Sequence, residues 1–129
     1  MSNKFTVEII TPDMSIITSE TNEVTIPSYE GQMGILKDHI PLITFLRPGV
    51  IVIDNMEVKK YFVEEGTVEF SNNNLLILTS TAKDLAELNQ NSIKDLLAEA
   101  EKKLNDNEHS DKDKYLLSYK INTLKEISR

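Results

Sequence analysis

Few side chains of this sequence have the types and the spacing that catalysis needs. His39 is the only histidine in the first half of the chain, and no second histidine, serine or cysteine accompanies it at motif spacing, so we expect a surface or hydrogen-bonding role for it. Glu64-Glu65 and the pair Glu99/Glu101 have the chemistry of a general acid and base. The first pair precedes a turn glycine and the second lies on the polar side of a helical pattern. We therefore expect both pairs to be solvated.

Metal and cofactor chemistry finds no support in the residue spacing either. Asp111 and Asp113 are spaced as in part of a calcium loop, but the glycine and the terminal glutamate of such a loop are missing. His109 lies in a polar segment, where we expect it to be solvated. The chain contains no cysteine, which excludes disulfides, thiol catalysis and cysteine-ligated metals. The sequence thus predicts a protein that is not an enzyme and that holds no metal or cofactor.

The composition excludes several classes of partner. The 129 residues carry a net charge of −7, and an acidic chain of this size repels phosphate backbones and anionic lipid, so we expect no nucleic-acid partner. No apolar run approaches the roughly 20 residues of a membrane span, and the first residues show no leader pattern. We therefore expect a bacterial, cytoplasmic protein that meets a membrane only through a partner.

The elements that must position these residues begin with a β unit, which we predict over residues 1–84. Phe5, Val7 and Ile9 alternate with polar residues, as in a half-buried strand. The stretch from Pro27 to Ile53 holds three of the four glycines and three of the four prolines, which separate short apolar runs; we expect the strand before Pro27 to stop there. Many short strands with turn signals between them indicate an antiparallel β-sandwich or barrel.

The period becomes helical in residues 85–129, where we predict an antiparallel two-helix hairpin and hence an α+β fold. Residues 82–90 are mixed and polar and are predicted to be a linker with a helical turn, and the first helix is expected from Ser92. Two apolar stripes follow at helical spacing: Ile93, Leu96, Leu97, Ala100 and Leu104 in the first, and Leu117, Ile121, Leu124 and Ile127 in the second, flanked by Tyr115, Leu116 and Tyr119.

A hairpin of this size cannot bury both stripes by itself. Each helix is close to the roughly 12–15 residues at which an isolated helix is marginal. The stripes must pack on each other, on the β unit or on a partner, and the segment before the first helix would allow the hairpin to move. A β unit with an exchangeable helical arm is typical of a binding or switching protein.

The glycine- and proline-rich stretch resembles a known family. The residues that carry the resemblance are Gly31-x-x-Gly34-Ile35-Leu36-x-x-His39-x-Pro41-Leu42 followed by Pro48-Gly49, and they are similar to the N-terminal domain of the epsilon subunit of F-type ATP synthases. Ala100-Glu101-x-x-Leu104 is similar to the first C-terminal helix of that family, and the order of a β unit before two helices also fits.

The resemblance implies a non-catalytic subunit at the foot of the central rotor stalk, peripheral on the cytoplasmic face of the bacterial inner membrane. Its sandwich would bind the gamma subunit and the ring of c subunits, so that ion flow is coupled to ATP synthesis. Its helices would reach the alpha/beta catalytic head and inhibit ATP hydrolysis. Carried over by position, the residues at the edge facing the c ring would be Glu30, Gly31, Gln32 and His39.

One departure from the family concerns nucleotide binding. Some bacterial members bind ATP through an Asp and an Arg at the start of the first helix, and the matching positions here are Asn89 and Ser92. Loss of the arginine removes the bidentate donor that suits a phosphate, so we expect little or no ATP binding. Asn89 retains a structural role as a helix N-cap. A nucleotide-sensing regulator and a free-standing β-sandwich adaptor remain the alternative hypotheses.

Overall fold

The computed structural model describes residues 3–106 and 109–128. Ten strands precede two helices, and one turn of 3-10 helix (Leu85–Glu87) leads from the strands to the helices. The strands are β1 (Phe5–Ile10), β2 (Ser15–Thr21), β3 (Glu23–Ser28), β4 (Gly31–Leu36), β5 (Leu42–Leu46), β6 (Gly49–Asp54), β7 (Val58–Val63), β8 (Gly66–Ser71), β9 (Asn74–Thr79) and β10 (Ala82–Asp84), and the helices are α1 (Gln90–Leu104) and α2 (Asp111–Ile127). The predicted α+β class, a sandwich followed by a helical hairpin, is confirmed.

The strands form two layers that meet along a narrow seam. Their hydrogen-bonded order is β10-β7-β6-β3-β5-β8-β9-β1-β2, with β4 paired to β3. All pairs are antiparallel except β1 with β9. The seam between β3 and β5 consists of the residue pair Ser28–Leu46, and backbone hydrogen bonds from Tyr29 to Phe45 (3.2 Å) and from Arg47 to Pro27 (3.0 Å) close it.

The core lies between the two layers and is built by alternation along the strands. In β1, Phe5, Val7 and Ile9 point inward and are buried, as the sequence pattern predicts. The ring of Phe5 packs edge to face on that of Phe70, with 5.6 Å between their centroids. Each fully buried side chain of this size contributes about 1.5–3 kcal/mol to folding, so the core supplies the main stabilisation of the sandwich.

Pro27 and Gly66 each affect how two strands of the sandwich pair. The expectation that the third strand stops before Pro27 is wrong, because β3 continues to Ser28 and Pro27 pairs with Gln32. The missing N–H is tolerated there because β6 pairs only with Glu23, Val24 and Thr25 of this strand. Gly66 allows close strand contact, since a Cβ atom at this position would clash with the carbonyl oxygen of Leu78.

The segment that we expected to be a linker is more regular than its sequence suggests. Ala82–Asp84 forms strand β10, which pairs with β7. The helix α1 begins at Gln90 rather than at Ser92, and the side chain of Asn89 accepts a hydrogen bond from the backbone N–H of Ser92 (2.7 Å), which confirms Asn89 as the N-cap. Ser110 caps α2 in the same way through the N–H of Asp113 (3.2 Å).

The helical hairpin packs on the outer face of β6 and β7, and its helices pack on each other. Phe62 points outward from β7 and forms a second apolar cluster with Ile93 of α1 and Leu124 of α2, all three buried. The predicted stripes are therefore correct for most of their length. In α2, however, Leu116 is buried where we had predicted Leu117, which is only partly buried.

Candidate interaction surfaces

An apolar strip lies on the outer face of the layer that the helices leave uncovered. It consists of Ile43 and Phe45 on β5 and Leu78 on β9, which are 77%, 57% and 43% exposed. Phe45 pairs with Thr67 of β8, and Thr67 pairs with Leu78, so these three residues form one row across three strands. Ile43 lies two residues before Phe45 on the same face of β5 and pairs with the exposed Glu69. Side chains of this size rarely lie together in water without a partner. The apolar strip is therefore the first candidate interface.

A groove runs between the apolar strip and helix α2. Its volume is about 530 Å³, and it is lined by side chains of both parts of the molecule: Tyr29, Phe45, Leu46, Glu65, Gly66, Thr67, Ser80 and Lys112. The sheet supplies an aromatic and largely uncharged floor. The lining carries one ammonium group, that of the exposed Lys112 in the first turn of α2, and one carboxylate, that of Glu65.

A series of aromatic contacts connects the strip with helix α2. The ring centroids of Phe45 and Tyr29 are 6.4 Å apart, those of Tyr29 and Tyr115 are 5.8 Å apart, and those of Tyr115 and Tyr119 are 4.9 Å apart. The guanidinium of Arg47 lies 4.1 Å from the centre of the Tyr119 ring, a cation–π contact. We call these five residues the aromatic series. It joins the sandwich and the hairpin at one end of the molecule.

An ion pair also holds the hairpin on the sandwich. Nζ of Lys120 lies 2.8 Å from Oε1 of Glu64. Burial by itself would raise the pKa of Glu64, but the hydrogen bond and the charge of Lys120, a hydrogen bond from Thr81 and the charge of Lys103 together hold that pKa below its ordinary value. Our expectation that Glu64 is solvated is wrong, because a partner from a distant part of the chain covers it.

A small cavity lies beside this ion pair. It has a volume of about 280 Å³, and its walls include Pro48, Glu65, His109 and Leu116. His109 is not solvated as we had expected: its side chain is 26% exposed, and its Nδ1 lies 3.9 Å from a carboxylate oxygen of Asp113. In residues 3–106 and 109–128, no group of three or more His, Cys, Asp or Glu side chains is placed to hold a metal ion.

The three neighbouring residues predicted to face the c ring lie together at one end of β4. The hydroxyl of Ser28 donates to the carbonyl of Gly31 (2.7 Å) and accepts from the N–H of Glu30 (3.3 Å), which closes the turn between β3 and β4. Gly31 has φ +120°, a conformation that only glycine adopts readily. Glu30 and Gln32 are exposed on this turn.

His39, the fourth predicted residue, lies at the other end of β4. Its Nδ1 is 2.7 Å from the carbonyl oxygen of Ile40, and its ring packs edge to face on Phe70, in keeping with the hydrogen-bonding role predicted for it. The adjoining Asp38 is tied to the β8–β9 turn, since its N–H donates to Oδ1 of Asn73 (2.7 Å). The six residues of β4 separate His39 from the turn by roughly 17–20 Å. The four residues thus lie in or beside the two ends of β4 and do not form one cluster.

Comparison with known proteins identifies the family. The model of the beta-sandwich domain of the ATP synthase delta/epsilon chain matches residues 4–84. The chain belongs to the ATP synthase delta/epsilon chain family. It is 42% identical over 130 residues to the ATP synthase epsilon chain of Pelagibacter ubique, with 99% of this chain and 100% of the relative covered.

Further relatives and solved structures agree with this family. The ATP synthase epsilon chain of Parvibaculum lavamentivorans is 30% identical, over 98% of this chain and 97% of the relative. A chain in the cryo-EM structure of the Euglena gracilis mitochondrial ATP synthase matches with a TM-score of 0.74 and 19% identity, over 97% of this chain and 79% of that one. A chain in the central stalk and c-ring structure from Tetrahymena thermophila matches with a TM-score of 0.65 and 15% identity, over 96% of both chains. The two structures support the fold.

Membership of the family defines the role of the chain in general terms. It is a non-catalytic subunit of an ATP synthase, which agrees with the lack of a catalytic constellation that we inferred from the sequence. Within residues 3–106 and 109–128, no helix is both long and apolar enough to cross a bilayer.

The apolar strip is the candidate interface that sequence reasoning missed. The β5 sequence Leu42-Ile43-Thr44-Phe45-Leu46 is apolar on both faces, so its alternation does not show which residues point outward. The signal that would have found the strip is that two large side chains of this strand, Ile43 and Phe45, are superfluous once Leu42 and Leu46 fill the core positions.

Proposed function

We propose that this protein is the epsilon subunit of the rotor stalk, and that it binds the gamma subunit through the apolar strip. It would lie at the cytoplasmic face of a bacterial cell membrane as a peripheral part of the complex. In this role it would transmit torque between the c ring and gamma, and so couple ion translocation to ATP synthesis. The relative from Pelagibacter ubique supports this proposal, because it is similar over its whole length and is an ATP synthase epsilon chain.

The apolar strip is the observation on which the gamma interface rests. Ile43 and Phe45 are large, more than half exposed, and placed on a rigid sheet face. Burying such a side chain contributes about 1.5–3 kcal/mol, so two or three of them supply the central anchor of a stable interface. The helices cover the opposite layer through Phe62, which leaves this face for a partner.

Co-elution with the matching gamma subunit on a sizing column tests this interface. We expect the full chain to co-elute with gamma and the Ile43→Glu variant to lose binding by more than tenfold, because the new carboxylate would be buried unpaired. Met56→Glu is the matched control, since Met56 is 98% exposed on the β6–β7 turn, away from the strip. Equal binding by both variants would reject the strip as the gamma interface.

We also propose that the c ring contacts the length of β4. This strand pairs with β3 and lies off the path of the main sheet, and it spans the distance from Glu30, Gly31 and Gln32 to His39. Gln32→Cys and His39→Cys should therefore both form disulfide cross-links, under an added thiol oxidant, to a cysteine introduced in the polar loop of the c subunit. The chain has no cysteine of its own, so each cross-link can come only from the introduced cysteine. A cross-link from Gln32→Cys alone would restrict the contact to the β3–β4 turn.

The helical hairpin would be the regulatory part. In the structure it is docked on the sandwich, and we propose that an undocked hairpin reaches the alpha/beta catalytic head and restrains ATP hydrolysis. The C-terminal segment sets five positive charges against three negative ones, a surplus that would suit an acidic site there: Lys112, Lys114, Lys120, Lys125 and Arg129 against Asp111, Asp113 and Glu126. Covalent fixation of the docked hairpin should abolish inhibition of hydrolysis in the reconstituted complex; inhibition that survives fixation would disprove this role.

A further inference from the structure

The apolar strip does not end at the edge of the sheet. Phe45 contacts Tyr29, and Tyr29 contacts Tyr115 of helix α2. All three residues are more than one third exposed, and together they form one aromatic surface that crosses from the sandwich to the hairpin. Tyr29 lies at the junction, and its backbone is fixed by the hydrogen bond of its N–H to the carbonyl of Phe45.

We propose that the gamma-binding surface extends across Tyr29 onto helix α2, so that gamma contacts the docked hairpin through Tyr115 and Lys112. Gamma would then bind more tightly to the chain with its hairpin docked than to the chain with its hairpin released. This inference rests on the proposed function, because it takes gamma as the occupant of the apolar strip.

The groove beside the strip explains how the hairpin would contribute. Its floor belongs to the sheet, through Phe45 and Thr67, and Lys112 of α2 forms part of its wall. When the hairpin leaves, Tyr115 and Lys112 leave with it, and the groove loses that wall. A partner that contacts both parts therefore has different affinities for the two positions of the hairpin, and such a difference is the condition under which it shifts their populations.

The chemistry of the groove also selects its occupant. The groove combines the apolar side chains of Phe45 and Leu46 with the ammonium of Lys112 and the carboxylate of Glu65. It therefore suits a gamma segment with apolar side chains, a carboxylate placed against Lys112 and a polar donor placed against Glu65. A second copy of this chain suits it less well, because two copies with a net charge of −7 each repel one another.

Titration of the full chain with the matching gamma subunit tests the inference through three variants. Tyr115→Ala removes the ring that continues the strip, and Lys112→Ala removes the charged wall of the groove. Lys125→Ala is the control, since Lys125 is exposed near the other end of α2. We expect the affinity for gamma to fall about tenfold for Tyr115→Ala and about threefold for Lys112→Ala. The control should bind as the unchanged chain does.

Amide hydrogen exchange gives the second readout, because it reports the position of the hairpin directly. We expect gamma to slow the exchange of the α2 amides about tenfold in the unchanged chain, and less in Tyr115→Ala. In the absence of gamma, the α2 amides of Lys112→Ala should exchange at the same rate as those of the unchanged chain. This result would show that the substitution removes a gamma contact and does not weaken the docking of the hairpin.

Three outcomes would overturn the inference, and they differ in what they imply for the function. Equal affinities for all variants, with no change in α2 exchange, would mean that gamma uses the sheet alone, and the proposed function would stand. Faster α2 exchange with gamma would mean that gamma releases the hairpin. No binding of gamma by the unchanged chain, or self-association that Phe45→Glu abolishes, would reject the proposed function together with the inference.

Discussion

Replacing Lys120 by methionine should weaken the docking of the helical hairpin by about one order of magnitude. Methionine keeps most of the apolar stem and removes the ammonium group, so Glu64 loses its partner at 2.8 Å. A hydrogen bond to a charged group contributes about 1.5–3 kcal/mol, whereas a fully exposed ion pair contributes about 0–1 kcal/mol. The side chains of Lys120 and Glu64 are 13% and 26% exposed, so we expect about 1–2 kcal/mol, or roughly 5- to 30-fold in the docking equilibrium.

The pH dependence of this ion pair follows from the direction of the pKa shift. The pKa of Glu64 is lower in the folded protein than its ordinary value of 4.5. The stabilisation from such a carboxyl is complete above the ordinary value and is lost as the pH falls through the lowered value. We therefore expect the contribution of the pair to be constant between about pH 7 and pH 5 and to decline only below about pH 4.5. The Glu64→Gln variant should lack this contribution at every pH.

A double-mutant cycle is the decisive assay. The exchange of the α2 amides, corrected for the intrinsic rate at each pH, would be measured for Lys120→Met, Glu64→Gln and the double variant, with the exposed Lys125→Met as control. A coupling of about 1–2 kcal/mol between Lys120 and Glu64 is expected. If Lys120→Met behaves as Lys125→Met does, or if the coupling is below about 0.3 kcal/mol, the ion pair does not hold the hairpin and our reasoning is wrong.

Three other predictions concern packing, backbone space and nucleotide binding. Leu124→Ala should cost about 2–5 kcal/mol because Leu124 is fully buried; limited proteolysis should then cut α2 first, while simultaneous loss of the sandwich would contradict this. Gly66→Ala should lower the free energy of unfolding in urea by more than about 2 kcal/mol, since its Cβ would meet the Leu78 carbonyl oxygen. Gly34→Ala should change stability little, because the nearest atom to the added Cβ is a carboxylate oxygen of Glu23 at 4.0 Å. ATP at millimolar concentration should leave the melting temperature unchanged, because Ser92 replaces the arginine of the family motif and Asn89 serves as the N-cap; an increase of several degrees would favour the nucleotide-sensing alternative.

The parts of the fold that the sequence predicts are those governed by local pattern. Alternation along β1 and helical spacing in α1 reveal these elements, because each buries one face over several residues. Strand β10 escapes detection since three residues carry no period, and its form depends on pairing with β7. The burial of Glu64 depends on Lys120, which is remote in the chain and brought near only by docking. A pattern among neighbouring residues of the sequence cannot reveal a contact between residues that are far apart in the chain.

The candidate surfaces likewise include parts that the sequence predicts and parts that depend on the fold. Glu30, Gly31 and Gln32 are neighbours in sequence and remain together on the turn, whereas the position of His39 depends on the length of β4. The apolar strip arises because β5 and β9 lie in one layer with β8 between them. Residues from two distant segments form it, so only the topology reveals it.

The narrow seam between β3 and β5 would have a mechanical consequence for the torque transmission that we propose. A load entering at the apolar strip acts on the β5-β8-β9 layer, whereas the helices rest on the β6-β7 layer. In the described chain, the direct β3–β5 pairing between the layers is the Ser28–Leu46 pair with its two closing hydrogen bonds. Shear between the layers is then resisted mainly by the buried core side chains that the two layers contribute to one cluster. The elastic stiffness of the sandwich would thus depend on core volume, and substitutions in the core would soften it in single-molecule pulling across the seam, even where the backbone ladders remain intact.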